Sequence, residues 1–109
     1  MNISEIIGVP IKIGDIEVAQ HDFPKKMTWD KAKKECESLG SGWRLPNKDE
    51  LNTLYQNKDK IGGFANNLYW SSTEAENVSY FAWFQYFAKG DQYEAIKDDA
   101  NYVRAIRAF

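Results

Sequence analysis

Apolar positions recur along this chain in two different rhythms. Between Thr28 and Gly40, Trp29, Ala32, Cys36 and Leu39 fall three or four residues apart with Lys and Glu between them, the spacing of one buried helix face. Thr28 stands where an N-cap belongs, Asp30 suits a first turn, and Gly40 supplies a stop. After the extended Trp43-Arg44-Leu45-Pro46, Asn47 with Glu50 three residues on predicts a capping box. The helix it opens buries Leu51, Leu54 and Tyr55, and Gly62-Gly63 lies beyond its end.

The rhythm then changes to that of strands. Residues 68–72, 80–87, 92–96 and 103–109 are aromatic or β-branched runs separated by turn residues, among them Lys89-Gly90-Asp91. Ahead of the helices, residues 9–19 are rich in Ile and Val around Gly14-Asp15 and predict a hairpin or two strand pieces, with residues 1–10 as a loose lead. Helices followed by strands predict an α+β domain with an antiparallel sheet.

The run 80–87 carries the most information. Alternation puts Phe81, Trp83, Gln85 and Phe87 on one side and Tyr80, Ala82, Phe84 and Tyr86 on the other. A strand with one wet face should alternate apolar and polar, yet both sides here are aromatic. One reading buries the strand on both sides. The favoured one puts Trp83 and Phe87 in the core and presents Phe84 and Tyr86 to a ligand, with Tyr93 and Tyr102 extending the surface. Tyr beside Ala and Ser combines rigid area, few rotors and a polar handle.

Composition narrows the function classes. A chain of 109 residues has room for one core, so one domain is expected over 1–109. Aromatics reach 15%, more than packing alone calls for. The net charge of −2 comes without any basic stripe, which argues against a nucleic-acid partner. The single cysteine, Cys36, excludes an internal disulfide and any multi-thiolate zinc site. No apolar run is long enough to span a bilayer, and residues 1–5 show no signal peptide.

Three motifs in order, MTWDKAKKECESLGSGWRLPNKDELNTLY, YWSST and YVRAIRAF, make the chain resemble a bacterial domain family typified by the C-terminal domain of collagen-like adhesins. The resemblance runs from about residue 11 to 109. It implies a C-type lectin-like fold, with helices on antiparallel sheet and the terminal strands, about 11–18 and 103–109, paired. The family overlaps with the variable proteins of diversity-generating retroelements, in which a C-terminal cassette, here 70–109, is rewritten to display many binding surfaces. Cell-surface or phage-particle display follows from the same resemblance.

Carried over, the framework would comprise Trp43, Arg44, Leu45, Pro46, Trp70, Ser71, Ser72, Thr73, Trp83, Gly90, Val103, Arg104 and Arg107. Ligand-facing positions would lie among them at Ala75, Asn77, Ser79, Phe84, Tyr86, Ala88, Asp91, Tyr93, Ala95, Asp98, Asp99 and Tyr102. Adenine-directed change of an asparagine codon cannot produce Glu, so Glu76 and Glu94 are framework or come from another codon.

Other chemistry is weighed against plainer roles. Asp91, Asp98, Asp99 and Asn101 read as solvated loop groups, because the calcium motifs of sugar-binding lectins are missing. Cys36 is the residue an enzyme of the formylglycine-generating branch of this fold would need exposed, but it falls on an apolar helix face. His21 beside Asp22 has no nucleophile placed to use it. Arg44, Arg104 and Arg107 read mainly as structural guanidiniums, with an anion site as the minor alternative. The expectation is a non-catalytic module with no cofactor and no metal, binding a protein or other macromolecule. An enzyme-derived domain and a purely structural adhesin or phage domain are the alternatives.

Overall fold

The computed structural model describes residues 2–108. Asn2 caps a short helix, α1 (Ile3–Ile7), by accepting a hydrogen bond from the Ser4 amide at 3.0 Å. This corrects the expectation of a loose lead. Ile6 is buried, and the carbonyls of Ile6 and Ile7 accept from the amides of His21 and Gln20. Met1 lies outside the described residues.

A tight hairpin follows: β1 (Ile11–Ile13) pairs antiparallel with β2 (Ile16–Val18) across Gly14-Asp15, where Gly14 has a φ of 59°. That left-handed value is costly for a side chain and free for glycine. On its other side β2 pairs antiparallel with β6 (Ile106–Ala108), with Glu17 opposite Arg107 and their side chains in an ion pair at 3.0 Å. The terminal strands do pair, through β2. Residues 103–105 precede the strand without joining it, and Phe109 lies outside the described residues. Beyond β6 an isolated bridge joins Arg44 to Ile106, so β6 has neighbours on both sides.

α2 (Trp29–Ser38) buries Trp29, Ala32 and Cys36 as its spacing predicts, with Leu39 continuing that face. Thr28 occupies the N-cap position, yet its side chain makes no capping bond. α3 (Lys48–Gln56) opens on the complete Asn47–Glu50 capping box, and a further short helix, α4 (Lys58–Ile61), follows it. The second sheet has the order β3 (Leu68–Glu74), β4 (Phe81–Tyr86), β5 (Gln92–Ile96), antiparallel throughout. Among the described residues no helix is long and apolar enough to cross a membrane.

The second sheet lies between two cores. One gathers Trp29, Cys36, Trp43, Trp70, Ala82 and Val103; the other gathers Val18, Leu51, Leu54, Tyr69, Phe87 and Ile106. Adjacent Tyr69 and Trp70 enter opposite cores because successive strand residues face opposite ways. Gly90 closes the β4–β5 turn at a φ of 96°, and an added Cβ there would meet the Tyr55 ring at 2.6 Å.

Glu50 has two jobs at the start of α3. Its Oε1 accepts from the Asn47 amide at 2.9 Å, and both its oxygens accept from Arg44 at 2.7 Å. Hydrogen bonding from Arg44, foremost, with help from the Asn47 amide, holds the carboxyl below its ordinary range against the effect of burial. A carboxyl lowered in the folded state stabilises above its unfolded pKa, about 4.3 for glutamate, and loses that contribution as pH falls through the folded value. Thermal melts of the protein and of Glu50→Gln should therefore differ most near neutrality and converge on acidification. Parallel curves at every pH would show that this carboxylate does not couple to folding.

Candidate functional site

The surface of interest begins where β3 ends. Between Trp70 and Glu74 the β3–β4 register shifts, so the strand leaves the ladder with an irregularity. The loop it feeds is closed by Ala75 N–H donating to the Phe81 carbonyl at 3.0 Å and Phe81 N–H donating to the Val78 carbonyl at 3.1 Å. Glu76, Asn77, Ser79 and Tyr80 are left exposed.

Trp83 stands on β4 directly opposite Glu94. It shares a side with Tyr69 and Gln85, the side that α3 covers further along, but α3 starts only at Lys48. Over Trp83 the Lys48 ammonium sits 3.5 Å from the ring centroid, in cation–π geometry. Lys48 is fixed at its backbone, where its N–H donates to Thr73 Oγ1 and its carbonyl accepts from Gln92 Nε2, both at 2.8 Å. The result is a half-open cleft of about 490 Å3 with Trp83 and Lys48 on one wall and Glu76, Asn77 and Glu94 on the rim.

On the β4–β5 hairpin and the loop before it large apolar side chains reach solvent: Tyr80 is 61% exposed, Tyr93 59% and Ile96 40%, with Ile96 on the Trp83 side of the sheet and Tyr93, opposite Phe84, on the other. Tyr80 packs edge-on against Phe81, and Phe81 lies opposite Ile96. A second cleft, of about 310 Å3, opens beside Gly62, Gly63 and Phe64. Its one cation, Lys58, is committed to the Phe87 carbonyl at 3.1 Å and to the Tyr55 ring, so it presents little unspent chemistry.

The candidate residues separate into three groups. Asn77, Ser79, Asp91, Tyr93, Asp98 and Asp99 are exposed, and Tyr86 and Ala88 are half-buried. Four others do not fit a contact surface. Ala75 is 7% exposed; Phe84 and Ala95 pack against the Trp29–Trp70 core; Tyr102 packs against the other core and stacks on Tyr69 at 5.4 Å. The physical reason is the position of β4. It is the middle strand between two cores, and no residue from Phe81 to Phe87 is exposed. The strand is thus covered on both sides, and the favoured division, Phe84 out and Trp83 in, is corrected: Phe84 leans on the core and Trp83 walls the cleft. Phe87 is buried as expected. Tyr80, the most exposed aromatic among the described residues, was not among the candidates.

The framework positions are otherwise built in. Trp43, Leu45, Pro46, Trp70, Ser71, Val103 and Arg104 are buried. Trp29 donates its indole N–H to the Ser71 carbonyl and Trp70 to the Met27 carbonyl, at 2.8 and 2.9 Å. Arg107 lies over the Trp43 ring at 4.8 Å. Arg104 spends its guanidinium on Asp22 at 2.7 Å and on the carbonyls of Ala19 and Gly62, with the Phe64 ring 4.1 Å away. Asp22 also accepts from the Tyr69 hydroxyl. Burial holds its carboxyl above the ordinary range, against the pull of Arg104 and Tyr69.

Neither metal nor thiol chemistry gains support from this geometry. Among the described residues no three His, Cys, Asp or Glu side chains gather where an ion could sit. Asp98 and Asp99 point into solvent, whereas Asn101 is buried and bridges Met27 through its backbone. Cys36 is fully buried, and burial, with smaller contributions from Glu37 and Glu35, pushes its thiol up to about 12. A thiol in that state is protonated and out of reach.

Three solved structures place the fold. Botrocetin superposes with a TM-score of 0.67 at 9% identity, covering 94% of this chain and 98% of that one. The complex of botrocetin with a mutant von Willebrand factor A1 domain gives 0.65 at 11%, covering 94% and 98%. EMS16, an antagonist of the collagen receptor integrin α2β1, gives 0.64 at 8%, covering 92% and 97%. At such identities the likeness concerns architecture, and that architecture is the C-type lectin-like fold. No curated protein sequence matches the chain. A family model does: the Lcl C-terminal domain matches residues 15–107, nearly the whole length, and the chain belongs to that family.

Proposed function

We propose that this domain is a non-catalytic binding module that engages a protein partner through the β4–β5 hairpin and the loop before it. The observation that carries this reading is the exposure of Tyr80, Tyr93 and Ile96 along the β4–β5 hairpin and the loop before it, with the Trp83 cleft on the Ile96 side. Several large apolar groups left exposed along one hairpin of a small domain mark that element for contact. The fold supports it by analogy, since one structural neighbour is seen in complex with a von Willebrand factor A1 domain and another antagonises an integrin. The finer form of the proposal is a diversified variable protein displayed on a cell or phage surface. A reverse-transcriptase gene beside a near-repeat of the segment encoding residues 70–107 would support that form, and its absence from the locus would remove it.

Folding and binding should then separate by residue. Substitutions at exposed positions change stability by about 0.5 kcal/mol or less, whereas contact aromatics each contribute about 2 kcal/mol or more to binding. Tyr80→Ala and Tyr93→Ala should leave the melting temperature nearly unchanged and weaken partner capture by roughly 30-fold each. Trp83→Ala should cost less than the roughly 3–5 kcal/mol of a fully buried Trp, because Trp83 is half-buried and lines the cleft. Strong destabilisation by both tyrosine variants, with capture retained, would move the binding surface elsewhere.

A further inference from the structure

β5 is the outer strand of its sheet, and hydrogen bonding at its two ends fixes which backbone groups face outward. The Lys97 amide donates to the Tyr80 carbonyl and the Tyr86 amide to the Asp91 carbonyl. Hydrogen-bonded pairs alternate along an antiparallel ladder, so Tyr93 and Ala95 direct their amides and carbonyls toward β4. Gln92 and Glu94 direct theirs away from the sheet, together with the Ile96 amide; the Ile96 carbonyl is taken by the Asp99 amide at 3.0 Å. The outward groups of Gln92 and Glu94 form a short open ladder.

Two of the charged side chains beside this edge are unspent. Glu74 is paired with Lys97 at 2.7 Å, and Lys48 is held over Trp83. Among the described residues the carboxylates of Glu76 and Glu94 accept no hydrogen bond and form no ion pair. Both are exposed, and both line the cleft.

Resting on the binding-module reading, we propose that the β5 edge takes an extended segment of the protein partner as an added antiparallel strand, with a Lys or Arg opposite Glu94. Residues directly opposed across an antiparallel pair lie on the same side, with Cβ atoms about 5 Å apart. A basic residue paired with Glu94 therefore lands on the Trp83 side, at the mouth of the cleft. Residues two before and two after it oppose Ile96 and Gln92, where an apolar residue fits Ile96. A second copy of this chain is the poorer occupant. Two β5 edges paired symmetrically about Glu94 would set Glu94 against Glu94, and like charges directly opposed destabilise. Glu94 thus both guards the edge against self-association and selects a basic segment.

The probe is a capped seven-residue peptide of alternating threonine and valine with arginine at its centre, titrated to millimolar concentration into isotopically labelled protein. The expected result is movement of the Gln92, Glu94 and Ile96 amide signals and the Trp83 indole signal. The same peptide with a central glutamate should bind roughly tenfold more weakly, and Glu94→Lys should reverse that preference. Glu94→Pro, which deletes an amide the sheet itself does not use, should abolish the shifts. No movement of β5 signals, or an unchanged preference in Glu94→Lys, overturns the proposal. So do concentration-dependent β5 shifts without peptide, which would mean that a second copy covers the edge. Partner capture lost in Tyr80→Ala and Tyr93→Ala but retained in Glu94→Pro would leave the binding module standing and remove strand addition alone.

Discussion

Ending the chain after Tyr102 will abolish its cooperative melting transition. The residues removed include Val103, Arg104, Ala105 and Ile106, all buried, and Ile106 is the hinge of two pairings. On one side it stands opposite Val18; on the other it exchanges backbone hydrogen bonds with Arg44 at 2.8 and 2.9 Å. The carbonyls of Val103 and Ala105 also accept from Phe23 and Ala19. Burying a Val or Ile side chain contributes roughly 1.5–3 kcal/mol, and leaving Asp22 buried without its cation costs about 3–5 kcal/mol. Against a typical total of about 5–15 kcal/mol, little stability would remain. Near-UV circular dichroism during heating is the measurement. A sharp transition near the temperature of the complete chain would mean that the first sheet is an appendage rather than part of the fold.

Replacing Arg104 by leucine is expected to cost about 3–5 kcal/mol and lower the melting temperature by more than about 10 °C. Breaking one side of a buried ion pair strands the other charge. Here Asp22 would keep only the Tyr69 hydroxyl in a site where burial already raises its carboxyl. The pH dependence fixes the cause. A folded-state carboxyl raised above its unfolded value binds its proton first in the native protein, so its destabilising effect is largest near neutrality. It fades as pH falls through the folded value. The deficit of Arg104→Leu should therefore shrink on mild acidification, opposite in sign to the loss of the Glu50 contribution. Adding Asp22→Leu should recover much of the loss at neutral pH, because the stranded charge is gone. A deficit that is the same at every pH and persists in the double variant would assign the cost to packing instead.

What could be read beforehand was set by range. α2 and α3 were legible, with the Asn47–Glu50 box, because spacing and caps are local properties of adjacent residues. α1 was not, because five residues show no helical period and its anchor, Ile6, is held by tertiary contact alone. The strands of the second sheet came through nearly to the residue, and β5 coincides with the expected run 92–96. Alternation says which residues share a side but not what covers that side. That is why Phe84 and Trp83 were exchanged: the deciding fact is that α3 begins at Lys48, which no periodicity in 80–87 contains. Arg104 was legible as a structural guanidinium. Its partner Asp22 lies 82 residues earlier, beside His21, and nothing local to either residue links the two.

The ladder between β2 and β6 also makes this domain portable. The segment matched by the family model, residues 15–107, begins one residue before β2 and ends within β6, with Glu17 and Arg107 facing each other across the ladder. Opposed residues in such a ladder have Cα atoms about 4.5–5.5 Å apart. A host protein could therefore receive the unit within a surface loop as though one residue had been replaced, with almost no stretch to close. The same adjacency lets a stalk or a neighbouring domain be attached at either end without changing how the β4–β5 hairpin is held.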